Sequence, residues 1–329
     1  MPRWSSVALA AVVTLAGGTL QPTVGYGIHN GKVTIDLDPG RMVDSTRPGL
    51  RCSGPNGVPL VVTEPVGEGP SGTKIVKACV DVMYGAQQLW NMLRDWAGRN
   101  GFDGNGRAFP AVVDSNSHNN YWNGARAGFG LADTVRPRTT TLDLVGHEYG
   151  HAVYQHTPGG SGAGNEMGAL NESAADILGA GVEHYANNPN NLPDWLIGEI
   201  PGLGSEPLRN LANPAANGFP ACHGPIGEVH ATSAPHSRWF VLLAAGTRAS
   251  PQRCDGGSPI TGIGVRKALQ IFMASLALKS NPWNHKKARI ATLTAAKTLH
   301  APSCAEFDVV RESWNAIGLP AQPAEPTCP

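Results

Sequence analysis

His147-Glu148-Tyr149-Gly150-His151 places two imidazoles four residues apart with a carboxylate beside the first. On a helix, residues i and i+4 share one face, so both rings reach a single metal ion. Glu148, one position along, lies next to that ion rather than on it. There it takes a proton from a water polarised by the metal; zinc lowers the pKa of such a water from about 15.7 to about 7, so a carboxylate suffices as base. The flanking residues Leu142, Leu144, Val145, Ala152 and Val153 are apolar, so this helix is expected to be buried. Two histidines and a glutamate buried without a partner would be costly, which favours a metal over a pair of surface histidines.

A hydrolytic zinc needs a third protein ligand and an open fourth position. Glu172, 25 residues beyond His147 and on the next expected helix, is the candidate. A Gly-rich connection between two antiparallel helices would carry it to the metal. Asp176 follows at i+4 on the same face and is placed to accept the free ring N–H of a ligand histidine.

His147-Glu148-x-x-His151 followed by Gly168-Ala169-Leu170-Asn171-Glu172-x-x-x-Asp176 resembles the thermolysin-like metallopeptidases. The likeness runs over about residues 26–319, with further matching segments in the same order at residues 119–124, 193–199, 208–209 and 229–230. It implies an α+β, two-lobed fold with a β-rich N-terminal lobe, a mainly helical C-terminal lobe and the active-site helix between them. It implies a secreted endopeptidase that cleaves peptide bonds at zinc held by His147, His151 and Glu172. By the same resemblance Asn119 and the backbone at Asn120 hold substrate main chain, Arg209 binds a substrate carbonyl, and His230 donates to the oxyanion. Asp143, Glu183, Asp194 and Glu199 match calcium-binding carboxylates, and Leu196 in that loop implies one calcium rather than two. Val135, Leu144, Ile197 and Leu208 match a pocket for an apolar residue after the scissile bond, with Arg138 at its rim.

The chain departs from the pattern in three places, one being that family-like sequence is expected to begin almost directly after an N-terminal export signal, where the family carries a long pro-segment. Residues 158–164 carry no Tyr, and Pro225 stands where the family has the Asp that orients the His at position 230. Glu228 and His223 are the nearby candidates for that task. These departures leave an alternative: a zinc-binding protein of the same fold with weak or no peptidase activity.

The elements that must position these groups follow from periodicity. Val33, Ile35 and Leu37 alternate with polar residues, the pattern of a half-buried strand, and residues 58–66 are a second strand candidate. Ile75, Cys79, Met83, Ala86, Trp90, Leu93 and Ala97 recur at helical spacing, predicting a helix over residues 74–98. Residues 107–138 read as strand and turn. Thr140 three residues before Asp143 resembles a capping box, opening a helix that runs to 156, where Pro158 and two glycines stop it. Further helices are expected over 166–186, 236–247, 263–279, 285–299 and 305–316.

Lys+Arg and Asp+Glu each number 25, so no basic field suits a nucleic acid or an anionic membrane. Arg3 followed by the apolar run of residues 7–17 reads as an export signal, too short to span a bilayer. The expected organisation is a signal over 1–25, the β-rich lobe over 26–157 and the helical lobe over 158–329, acting as a monomer on protein or peptide substrates. Six cysteines without metal spacing fit disulfides in an exported chain. Pairing between sequence neighbours, Cys52–Cys79, Cys222–Cys254 and Cys304–Cys328, is the simplest of about 15 connectivities; the first and last also resemble bridges in relatives.

Overall fold

The alternation of apolar and polar residues at positions 32–37 is realised as strand β2 (Lys32–Leu37), whose Val33, Ile35 and Leu37 point into the core. A computed structural model describes residues 21–132, 138–200 and 206–328. β2 pairs antiparallel with β1 (Gln21–Tyr26). β1 also exchanges backbone hydrogen bonds with Val66, through Tyr26 N–H to Val66 O and Val66 N–H to Val24 O, both 2.9 Å. A boundary at residue 25 would therefore divide a paired strand. The rest of the expected export signal, residues 1–20, lies outside the described residues.

Residues 58–66, expected as a strand, meet their neighbours only through single bridges at Pro59, Val61 and Val66. Pro59 and Pro65 have no N–H to donate, so a continuous ladder cannot form there. The second sheet has the order β3 (Arg51–Ser53), β4 (Pro110–Asp114), β6 (Ala127–Gly130), β5 (Tyr121–Trp122). The first three run parallel, and β5 is antiparallel at one end.

Helix α1 (Lys74–Ala97) follows the predicted spacing closely; Thr73 caps its start and left-handed Gly98 ends it. Cys52–Cys79 ties it to β3, and the other two bridges form as expected, Cys222–Cys254 and Cys304–Cys328. Helices α2 (Leu142–Gln155) and α3 (Asn165–Ala186) come next, then α4 (Val229–Ala245), α5 (Val265–Leu276), α6 (His285–His300) and α7 (Ala305–Ala316). Two-residue strands β7 (Leu196–Ile197) and β8 (Arg209–Asn210) pair between α3 and α4.

Two helix starts differ from expectation. Thr141, not Thr140, is the N-cap of α2, and its hydroxyl donates to Arg138 O instead of closing a capping box. Thr140 turns its hydroxyl to the buried Asp81. α4 begins at Val229, upstream of Pro235, because Glu228 caps it by accepting the Ala231 N–H. Proline usually ends a helix pattern read from sequence, yet here the helix continues through it.

Among the described residues one hydrophobic core runs from Val33 to Leu319, drawing on the first two sheets and on α1 to α7, and a smaller cluster forms around Ile197 of β7. Trp239 and Trp314 stack at the helical end of the larger core, ring centroids 4.8 Å apart. No described helix is long and apolar enough to cross a membrane.

Candidate active site

α2 and α3 pack so closely that side chains are excluded at the contact. A Cβ on Gly150 would lie 2.8 Å from Ala175 Cα, and one on Gly179 would lie 2.5 Å from Asp143 O. This approach brings Glu172 of α3 to the histidines of α2. Glu172 Oε2 is 3.5 Å from His147 Nε2, and Glu172 Oε1 is 3.8 Å from His151 Nε2. Ligand atoms 2.0–2.1 Å from a tetrahedral zinc are separated by about 3.3 Å, so the three side chains fit the ion with small adjustment.

Each imidazole is aimed by a bond at its other nitrogen. His147 Nδ1 lies 2.8 Å from Asp176 Oδ1, as expected, and His151 Nδ1 lies 3.1 Å from Asn171 Oδ1. Such partners fix ring orientation and leave Nε2 free for the metal. The role of Asn171 was not anticipated, although its place beside Glu172 was the available signal. Burial disfavours the charged form of Glu172, but the facing imidazoles of His147, His151 and His230 outweigh it and hold the carboxyl at about 2. Glu148 is buried, accepts no hydrogen bond from the described residues, and is pushed by burial up to about 7.

Arg209 lines the cleft and also has a partner that the sequence did not indicate. Its guanidinium grips Asp176, Nε to Oδ2 at 2.8 Å and Nη2 to Oδ1 at 2.6 Å. Asp176 is fully buried, and this pair, with His147, keeps its carboxyl far below the usual range despite burial. Two of the three Arg209 side-chain nitrogens, Nε and Nη2, are engaged by Asp176.

His230, in the first turn of α4, approaches the same centre, with Nε2 3.5 Å from Glu172 Oε2. Its Nδ1 lies 2.6 Å from Glu228 Oε1. Glu228 is thus the partner of His230 and also the helix cap, its other oxygen accepting the Ala231 N–H at 2.9 Å. His223 lies elsewhere, packed on His285 with ring centroids 4.9 Å apart.

These groups open on a cleft of about 990 Å³. Residues 118–124, which include the terminal strand β5, form one wall, so Asn119 and Asn120 both line it. The Asn120 side chain is engaged within the fold, donating to Thr139 O and accepting from Gly130 N. Trp122 donates its indole N–H to Gln155 Oε1 at 2.7 Å. Gln155 was missed in the sequence, though it follows His151 by the same four-residue step and so lies on the same helix face. Ser161, from the connection between α2 and α3, also lines the cleft. Of the expected apolar pocket, Leu144 and Leu208 line the cleft with Arg138 beside them. Ile197 does not: it is buried against Leu144, Leu211 and Val241. Val135 lies outside the described residues.

A second acidic centre lies behind α2. Carboxylate oxygens of Asp143, Glu183 and Glu199 all fall within 4.8 Å of one another and are buried. Asp143 Oδ1, Glu183 Oε2 and both Glu199 oxygens have no hydrogen-bond partner among the described residues. Burial, with the charge of Asp194 added, pushes Asp143 up to about 6; burial and the charges of Asp143 and Asp194 push Glu199 up to about 9, and burial and its acidic neighbours raise Glu183 well above its usual value. Asp194, expected in the same set, stands outside this group of three and accepts the Leu196 N–H. Three converging, buried carboxylates with unpartnered oxygens are a donor set that could hold a hard cation.

Comparison with known proteins agrees with this geometry. Residues 68–155 match the family model for the thermolysin metallopeptidase catalytic domain, and residues 164–319 match that for its alpha-helical domain. The chain is 32% identical over 325 residues to the transglutaminase-activating metalloprotease of Streptomyces mobaraensis, covering 90% of this chain and 42% of that protein. It is 34% identical over 257 residues to thermolysin of Alicyclobacillus acidocaldarius subsp. acidocaldarius, covering 74% of this chain and 45% of that protein. The chain thus spans less than half the length of these relatives. Among solved structures, the precursor of protealysin, a metalloproteinase from Serratia proteamaculans, superposes with a TM-score of 0.61 at 20% identity, over 95% of this chain and 91% of that one.

Proposed function

The chain belongs to the thermolysin metallopeptidase family, and on that premise we propose that it is an exported, zinc-dependent endopeptidase. The observation that carries this reading is the convergence of His147, His151 and Glu172 with Glu148 beside them and bonded to none of them. Zinc bound by these three residues supplies a Lewis acid that polarises a substrate carbonyl and makes a water nucleophilic near neutral pH. Glu148 accepts the proton of the attacking water and passes it to the amine that leaves. His230, aimed by Glu228, donates to the carbonyl oxygen as it becomes an oxyanion. Asp176 and Asn171 hold the ligand rings, and Arg209 neutralises Asp176. β5, at the end of its sheet, offers free backbone groups to an extended peptide. Export is supported by the pairing of all six cysteines, which suits an oxidising compartment.

The direct test is hydrolysis of casein by the purified chain, with its zinc content measured, before and after chelation and zinc return. One zinc per chain with activity that follows it supports the reading; hydrolysis indifferent to chelation overturns it.

Leu144 and Leu208 beside the metal centre favour an apolar side chain immediately after the scissile bond, whose burial is worth about 1.5–3 kcal/mol. A peptide-library profile should be dominated there by residues such as Leu or Phe. Dominance by acidic or basic residues would remove these walls from the subsite.

The Asp143–Glu183–Glu199 centre is proposed to hold calcium. Without a cation, these carboxyls keep their protons to higher pH folded than unfolded. The folded state then binds more protons, so stability falls as pH rises from about 4 towards about 9. Each unit of upward shift costs about 1.4 kcal/mol once the group is ionised. Calcium removes that loss and adds about 2.7 kcal/mol at a hundredfold excess over its dissociation constant. In zinc-replete, calcium-free buffer the melting temperature should therefore drop between about pH 6 and pH 9, and calcium should abolish the drop. Superimposable pH profiles with and without calcium would exclude the site.

A further inference from the structure

The connection between the two helices that carry the metal ligands has little to hold it in place by itself. Residues 156–164 contain four glycines with positive φ, Gly159, Gly160, Gly162 and Gly164, and such residues lose the most freedom on ordering. Yet Ser161, in the middle of this segment, forms part of the cleft wall. One buried side chain reaches in from another element to fix it. Lys279, in the turn that follows α5, is only 3% exposed. Its ammonium donates to Tyr154 O at 3.0 Å and to Gly160 O, and sits 3.5 Å over the Tyr154 ring. The neighbouring backbone continues the contact, since a Cβ on Gly159 would lie 2.9 Å from Ser280 C.

Lys279 forms no ion pair among the described residues. The other polar and titratable groups around this helix end include Thr157, whose hydroxyl also donates to Tyr154 O at 2.7 Å, Arg99, which donates to His156 O at 3.2 Å, His156, whose Nδ1 lies 2.7 Å from Ala152 O, and the buried Tyr154 phenol. What compensates the buried charge is the negative end of α2, two carbonyls and an aromatic face. An apolar side chain would fill the same space without desolvating a cation. The ammonium adds direction: it links the last turn of α2 to Gly160, the residue before Ser161. The spacing of α2 and α3 at the metal does not need this link, because the glycine contacts at Gly150 and Gly179 already set it.

We propose that Lys279 is a positioning residue for the cleft wall, holding the 157–164 connection through Tyr154 O and Gly160 O so that Ser161 keeps its place against bound peptide. The proposal rests on the peptidase reading for its substrate and on geometry alone for the connection. Burial pushes the Lys279 ammonium down to about 8, so the link weakens in mildly alkaline solution.

The test compares wild type, Lys279→Arg and Lys279→Met, all zinc-loaded, by amide exchange over residues 157–164 and by kinetics on an internally quenched peptide from about pH 6.5 to 9.5. Lys279→Met is expected to exchange at least about tenfold faster in this segment. Its KM should rise at least about fivefold at neutral pH, with kcat and zinc content little changed, because misplacement of a binding wall weakens substrate binding before it affects chemistry. Lys279→Arg should stay near wild type and keep its low KM to the alkaline end, whereas wild-type KM should climb above about pH 8. Unchanged exchange in Lys279→Met overturns the proposal, as does loss of zinc with a fall in kcat, which would place Lys279 under the metal instead. If Lys279→Met does not fold, Lys279→Gln takes its place in the same exchange measurement, and unchanged exchange over residues 157–164 overturns the proposal. Wild type inactive on every peptide would sink the peptidase reading, while the exchange measurement would still judge Lys279.

Discussion

Glu148→Gln is expected to abolish peptide hydrolysis while leaving one zinc bound per chain. Glu148 is absent from the cluster formed by His147, His151 and Glu172, so removing its charge takes away no ligand. It does remove a buried carboxylate beside the candidate metal centre that accepts no hydrogen bond among the described residues. A positioned general base contributes about 10²–10⁴ to rate, and here the same group also returns the proton to the leaving amine, so the loss should reach the upper part of that range. Stability should move the other way. Burial disfavours the Glu148 carboxylate, and the isosteric amide relieves that cost, so the variant should melt at or above the wild-type temperature. Activity above a few per cent of wild type in a zinc-loaded variant would mean that another group takes the proton, and the assigned mechanism would fall.

The second large effect is expected at His230. Loss of one oxyanion donor typically costs about 10²–10³ in kcat, and this site lacks a Tyr in residues 158–164 to share the load. Arg209, the other cationic donor nearby, is bound to Asp176. His230→Ala should therefore lower kcat by at least that factor with a smaller change in KM. The side chain is half exposed, so folding should be unaffected. Glu228→Gln separates orientation from capping. The amide oxygen can still accept the Ala231 N–H, but the charge facing His230 Nδ1 is gone; partners of this kind are worth about 10–100-fold. A drop in kcat of about tenfold at unchanged melting temperature supports Glu228 as the residue that aims the ring. Kinetics equal to wild type would reduce Glu228 to a helix cap.

The candidate metal cluster was legible because its information is local. A four-residue step on a helix places His147 and His151 together whatever the rest of the chain does, and the same step relates Glu172 to Asp176. The helix spans were legible for the same reason, since burial of one face imposes a 3.6-residue period over α1, α2 and α3. The neighbour pairing of the cysteines also held, although connectivity is not dictated by sequence. Where local signals competed with tertiary ones, the tertiary ones won. Residues 58–66 have strand composition, but their prolines leave only isolated bridges. Pro235 reads as a stop, but Glu228 starts α4 well before it.

The sequence by itself determined which side chains are available for the proposed chemistry, His147, His151 and Glu172 as a candidate metal cluster with Glu148 beside them, and which helices present them. Only the tertiary structure decided how each group is held. Arg209 turns to Asp176 because a buried carboxylate without a counter-charge is costly, and no sequence pattern reports which cation will reach it. Glu228 faces His230 because both lie at the start of α4, a register fixed by the cap and not by the two-residue spacing. Asp143, Glu183 and Glu199 form a cluster while Asp194 stands aside, since their convergence depends on where α2, α3 and the segment after β7 pack. Lys279 is 119 residues from Gly160 in the chain, and only packing of the turn after α5 against the end of α2 brings them into contact.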